Sequence, residues 1–222
     1  MSAPDTALVC ERPIIFSAPM VRAILDGRKT QTRRVVTGKF ALEWLAPGMF
    51  APSYVAEREN DLCPYGQPGD RLWVRETWAR LRFYRDWETG HVDDWEPDDN
   101  GTAVYSADEG WEDGGNSVKE RGFQWRPSIF MPRDASRITL ELTEVRVQRV
   151  QDITDDDACA EGMTDEVLRE LDMLSHANAR DAYSWLWDSL NVKRGYGWES
   201  NPWVWALTFT QVTPTVERAA SA

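Results

Sequence analysis

The sequence predicts an α+β fold, and three observations carry that prediction. Runs with a two-residue period recur at 13–16, 71–78, 138–150 and 203–212, the pattern of half-buried strands. Between them lie stretches with a 3.6-residue period and recognisable helix caps. Two long stretches, 37–67 and 79–135, interrupt the pattern and read as insertions.

Taken in order, Pro13–Phe16 is a short apolar strand. Ser17 then caps a helix with Pro19 in its first turn, and Gly27 ends it, since glycine enters the left-handed region freely. A strand starts near Arg33. Residues 37–67 read as irregular. Gln67-Pro68-Gly69-Asp70 is a turn, followed by a strand from Arg71 to Trp78. Leu72, Val74 and Glu76 share one face of it and Trp73, Arg75 and Thr77 the other. Glu76 thus closes an apolar face. It either lines a pocket or pairs with an arginine at the strand end. Within 79–135 only Ala103-Val104-Tyr105 suggests a strand, and the two prolines in Trp125–Arg133 favour an ordered loop. Ile138, Leu140 and Leu142 alternate, then Val145 and Val147 do so in opposite phase, which predicts a bulge near Thr143. Thr154 caps a helix that Gly162 ends, Thr164 caps another to about Leu174, and a third spans Asp181–Leu190. The last is expected to bury Tyr183, Leu186, Trp187 and Leu190. Trp203–Val212 is the final strand, and 213–222 reads as a disordered tail. The fold is therefore expected as a single domain over 1–212 with two insertions.

Composition narrows the function. Of 222 residues 42% are hydrophobic, yet no apolar run approaches the roughly 20 residues of a membrane helix. Met1–Glu11 lacks a basic region followed by an apolar core, so a cytoplasmic location is expected, without a membrane partner. Cys10, Cys63 and Cys159 show no metal-binding or C-x-x-C spacing, and His91 and His176 look incidental. A net charge of −12 argues against coating duplex nucleic acid through its phosphates. A nucleoside, or one base presented from a strand, suits the charge better. The 12 tryptophans either anchor loops on the core or stack on bases; Trp87, Trp95 and Trp111 lie in acidic, glycine-rich sequence and are not expected to be deeply packed. The acidic residues between Asp86 and Asp113 would repel phosphates.

The most informative motif is Gly27-Arg28-Lys29-Thr30-Gln31-Thr32-Arg33-Arg34, a glycine-started hook with four cations and two hydroxyls. Its plain reading is a solvated basic turn. Its functional reading rests on Lys29 and Thr32, three apart and so on one side of a turn-like backbone: a base–nucleophile pair, with arginines suited to an anionic or polar ligand.

The hook, Pro68-Gly69-Asp70-Arg71-Leu72, the strand 138–150, Ala158-Cys159-Ala160-Glu161-Gly162-Met163 and the last strand occur in an order that resembles the ASCH family. They cover about a third of the chain, which looks like the longer form found in phages and prophages. The resemblance implies a small β-barrel related to PUA domains, with flanking helices. Some small bacterial members are amidohydrolases that release the acyl group of N4-acetylcytidine without a metal or other cofactor. Aligning hook with hook and helix with helix puts their catalytic lysine, threonine and glutamate on Lys29, Thr32 and Glu161. Arg28, Arg33, Arg34, Glu76 and Trp73 are then the candidates for binding a modified pyrimidine nucleoside or base. Other members are regarded as RNA or DNA binders, so a module that reads a base in RNA or single-stranded nucleic acid without turnover stays open, as does a ribonuclease. Thr32 as nucleophile with Lys29 as its base, and Thr32 as oxyanion donor with Glu161 activating water, are both consistent with these residue types.

Overall fold

The computed structural model describes residues 9–86, 89, 92–108, 124–164 and 178–212. The architecture is α+β. Its strands are β1 (Glu11–Ile15), β2 (Gln31–Val35), β3 (Arg71–Arg75), β4 (Trp78–Arg85), β5 (Val92–Pro97), β6 (Thr102–Tyr105), β7 (Thr139–Arg149) and β8 (Trp203–Val212). The described α-helices are α1 (Ala18–Leu25), α2 (Lys39–Trp44), α3 (Pro52–Val55), α4 (Asp155–Ala160) and α5 (Ala179–Asn191), joined by several short 3₁₀ turns. Among the described residues no helix is long and apolar enough to cross a membrane. One sheet has the order β1-β3-β7-β8-β2 and a second the order β5-β4-β6. The chain divides into two compact units.

The first unit comprises Met1–Arg12, Ala23–Leu72 and Thr139–Ala222. Its frame is the antiparallel set β7-β8-β2, with Arg146 opposite Ala206 and Arg33 opposite Ala206 on the other side. The expected phase change in β7 is real: the register slips between Leu142 and Glu144, leaving Thr143 as the extra residue. Leu140 and Leu142 are buried before the slip and Val145 and Val147 after it. The turn before β3 is held by Asp70, whose carboxylate accepts from the Gln67 amide at 2.9 Å and the Cys10 amide at 3.1 Å. Helices α4 and α5 close a core of Val150, Ile153, Ala158, Met163, Ala182, Tyr183, Trp187 and Val204. Leu186 packs at its edge, whereas Leu190, expected in the core, is 52% exposed near the end of α5, where Asn191 is the buried residue. Residues 37–67, expected to be irregular, contain α2 and α3, each too short for its periodicity to register.

The second unit comprises Pro13–Arg22 and Trp73–Ile138. Here the expectation of a single strand in 79–135 is corrected to a three-stranded sheet. Ala79 and Leu81 of β4 and Val104 of β6 form its apolar face, with Phe83, Trp95 and Trp125 packed around them. Trp95 therefore takes part in packing. The strand expected to run from 71 to 78 breaks after Arg75, and Trp78 starts β4. The expected helix after Thr164, Trp87, Trp111 and the expected disordered tail fall outside the described residues.

Candidate functional site

The hook is pinned at both ends within the first unit. Gly27 has φ 72°, and the amides of Arg28 and Lys29 both donate to the Ala23 carbonyl at 2.9 Å, closing the end of α1. The Thr30 amide donates to the Ala160 carbonyl, and the Thr30 carbonyl accepts from the Phe209 amide, each at 2.9 Å. These bonds tie the hook to the end of α4 and to β8. The end of α4 is itself built for a sharp exit. Thr154 caps the helix by accepting from the Asp157 amide at 3.1 Å, and Gly162 leaves it with φ 102°. A Cβ on Gly162 would stand 3.7 Å from those of Ala23 and Lys29, so hook and helix end pass in direct contact.

Lys29 and Glu161, 132 residues apart in sequence, meet here. Lys29 Nζ donates to Glu161 Oε2 at 2.7 Å and to the Glu161 carbonyl at 2.9 Å. Lys29 is 2% and Glu161 6% exposed, so both charges have left water. The second carboxylate oxygen, Oε1, accepts from Arg33 Nη1 at 3.2 Å and from the Tyr183 hydroxyl at 3.5 Å. Arg33 also donates to Asp157 Oδ2 at 2.8 Å and to Gln31 Oε1 at 2.6 Å. Arg146 donates to the other Asp157 oxygen at 3.1 Å. Gln31 in turn donates to Thr208, its register partner on β8, at 3.2 Å. The result is a continuous buried network from β8 through β2 to α4 and the hook.

Its electrostatics follow from burial and neighbours. Burial lowers the Lys29 pKa below 10.5, and Arg34 and Arg33 push the same way, while Glu161 opposes them. A lysine so placed exchanges a proton nearer neutral pH than a free one. Partial burial raises Asp157, but Arg33 and Arg146 more than offset this and hold it below 3.8. Burial, reinforced by the Glu161 charge, drives the Tyr183 hydroxyl well above 10.0, so it is a neutral donor.

The other candidates divide. Thr32 is 1% exposed on β2, opposite Leu207. Strand alternation gives Thr32 and Arg34 one face of β2 and Gln31 and Arg33 the other. Arg28 pairs with exposed Asp26 at 2.7 Å. Trp73 and Glu76 lie in the second unit. Glu76 is fully buried and receives a two-pronged bond from Arg137 at 3.0 and 3.1 Å, the strand-end pairing that was one of its two expected roles. Arg137 also pairs with Asp108 at 2.7 Å and lies 3.9 Å from the Tyr105 ring centre. Burial raises the Glu76 pKa above 4.5 against the pull of Arg137. The guanidinium of Arg75 stands 4.5 Å from the Trp73 ring centre.

Sequence reasoning missed Gln31, Asp157, Arg146 and Tyr183 as members of the network. Two signals were present. Asp157 is four residues before Glu161 and so on the same helix face, and Gln31 alternates with Arg33 on one strand face. Arg146 and Tyr183 carried none, because their partners are distant in sequence.

Neither a family model nor a curated protein matches the chain. Among solved structures it is similar to the ASCH domain from Lactobacillus crispatus JV V101, with 11% identity, a TM-score of 0.38, and coverage of 91% of this chain and 79% of that one.

Proposed function

We propose that this protein is a hydrolase that removes the acyl group from an N4-acylated cytosine nucleoside or a similarly modified base, using Lys29, Thr32 and Glu161. The observation that supports this most is the buried Lys29–Glu161 contact at 2.7 Å, with the lysine pKa lowered by burial. It matches two of the three residues that the hook and helix motifs single out. In this reading Lys29 takes the proton of the Thr32 hydroxyl, and Thr32 Oγ bonds to the acyl carbon. The bond from that carbon to N4 breaks as the Lys29–Glu161 pair returns a proton to the amine. Water then hydrolyses the ester and regenerates the hydroxyl. Arg33 holds Glu161 in position, because its two terminal nitrogens bond Glu161, Asp157 and Gln31.

The second reading is a module that binds a modified or flipped base without turnover. It is favoured by the same closed geometry, since Lys29, Arg33 and Tyr183 all occupy the Glu161 carboxylate. Liquid chromatography of N4-acylcytidines incubated with the protein separates the two. The hydrolase reading expects cytidine release and at least about a hundredfold loss in Thr32→Ala, with partial activity in Thr32→Ser. Binding of the intact nucleoside without release, by the wild type, supports the second reading.

A further inference from the structure

We infer that Asp157 and Arg146 are positioning residues of the hook site: in the middle of one file of alternating charges, they set how much of the Glu161 carboxylate is left to Lys29. Every member of the file belongs to the first unit. Exposed Glu144 meets Arg146 at 3.2 Å, Arg146 meets Asp157 at 3.1 Å, Asp157 meets Arg33 at 2.8 Å, Arg33 meets Glu161 at 3.2 Å and Glu161 meets Lys29 at 2.7 Å. The file thus runs from water to a lysine side chain that is 1% exposed. Local structure fixes its middle. Asp157 and Glu161 stand one helical turn apart, joined by the Glu161 amide donating to the Asp157 carbonyl at 2.9 Å, and the Thr154 cap holds the Asp157 amide. Arg33 spans the two carboxylates from β2.

The distances sort the file into pairs. Arg33 lies nearer to Asp157, Lys29 lies near Glu161, and the Arg33–Glu161 contact is the longer link between the two pairs. Asp157 engages the charge of Arg33, which leaves Glu161 to hold Lys29. Without the Asp157 charge, Arg33 would act undiluted on both. Removing a negative charge lowers the proton affinity of every group in reach, and removing a positive one raises it. The two positioning residues therefore act on Lys29 with opposite signs. The remaining groups that face the Lys29–Glu161 pair, Arg34 on β2 and the Tyr183 hydroxyl on α5, are unchanged in either variant.

The test needs no substrate. Among the four lysines, the Cε signal of Lys29 is assigned by its loss in Lys29→Met and titrated by carbon-13 NMR. Asp157→Asn should lower the Lys29 midpoint by at least about half a pH unit, the scale of one charge acting at an effective dielectric near 20. Asp157→Glu should restore it. Arg146→Gln should raise the midpoint by a smaller amount, because Arg146 is one contact farther away and partly in water. A role in packing alone would admit water to Lys29 in both variants and move both midpoints the same way. Shifts of one sign, or a midpoint that Asp157→Asn leaves in place, overturn the inference. Should Asp157→Asn not fold, Arg146→Gln, nearer the solvent end, decides by the sign of its shift. The consequence for turnover rests on the hydrolase reading: the acid side of the pH profile of kcat/KM should move with the Lys29 midpoint in each variant. Midpoints that move as expected in a protein that releases no cytidine, or whose profile stays fixed, uphold this inference and remove Lys29 as the base of that reading.

Discussion

Replacing Glu161 by glutamine is the sharpest perturbation of the hook. It keeps the side-chain shape and removes one charge, leaving Lys29 facing a neutral amide 2.7 Å away and Arg33 at 3.2 Å. Removing one partner of a buried ion pair costs roughly 3–5 kcal/mol, because the other charge stays desolvated without compensation. For a chain of this length that corresponds to a fall in Tm of about 6–20 °C. Lys29→Met should cost less, since Glu161 keeps Arg33 and Tyr183. The double variant Lys29→Met with Glu161→Gln should be more stable than the sum of the singles by at least about 1 kcal/mol. Urea unfolding followed by tryptophan fluorescence gives all three values. A Glu161→Gln protein within about 0.5 kcal/mol of wild type, or additive singles, would refute the claim that these groups form one buried unit. The same samples carry the functional question, because the rate per folded molecule falls only if Glu161 moves a proton in the reaction.

Lys29→Arg should be nearly as damaging to turnover as Lys29→Ala, because arginine keeps the charge but does not release its proton; an active Lys29→Arg enzyme would make Lys29 an electrostatic anchor. Because burial depresses the folded pKa of Lys29, the unfolded chain binds more protons between that value and 10.5. Stability contributed there rises with pH, and Lys29→Met should flatten this slope in urea titrations at alkaline pH. Asp157 has the same sign in a different window: its folded pKa lies below 3.8, so its contribution is present above 3.8 and lost as pH falls through the depressed value. Acid unfolding of Asp157→Asn should lack that component, and equal acid midpoints for variant and wild type would count against the Arg33–Asp157 contact. Gly162→Ala should cost about 1–3 kcal/mol, read by thermal denaturation, because φ 102° strains any side chain there.

Much of the frame was legible in sequence because it rests on local chemistry. The Thr154 cap, the Gly162 exit, the turn before β3 and the phase change in β7 are each written in a few adjacent residues. The β4-β5-β6 sheet was hidden for a different reason. Arg80 and Arg82 alternate correctly with Ala79, Leu81 and Phe83, but the acidic stretch that follows read as loop. In the structure acids partner both arginines: Asp98, from that stretch, for Arg82, and Asp134, beyond it, at 2.5 Å for Arg80. At the site, the residue types were legible and the bonds were not. Arg33 looked like a ligand-binding cation, and only the fold brings it to Glu161 and Asp157.

The slip at Thr143 also divides what substitution can do to this chain from what a change of length can do. Thr143 is itself exposed, so its identity is nearly free. So is its presence. Leu142 pairs with Phe209 and Glu144 with Thr208, neighbours on β8, so deleting Thr143 would close a regular ladder and keep Val145 and Val147 on the face of Leu142. Deleting Arg146 instead would turn Val147 to the outer face and leave Asp157, 3.1 Å from that guanidinium, with Arg33 alone. Single-residue deletions walked along β7 should therefore be best tolerated at 143. The strand keeps its slack at one residue, and the polar network beneath the hook depends on the register past it.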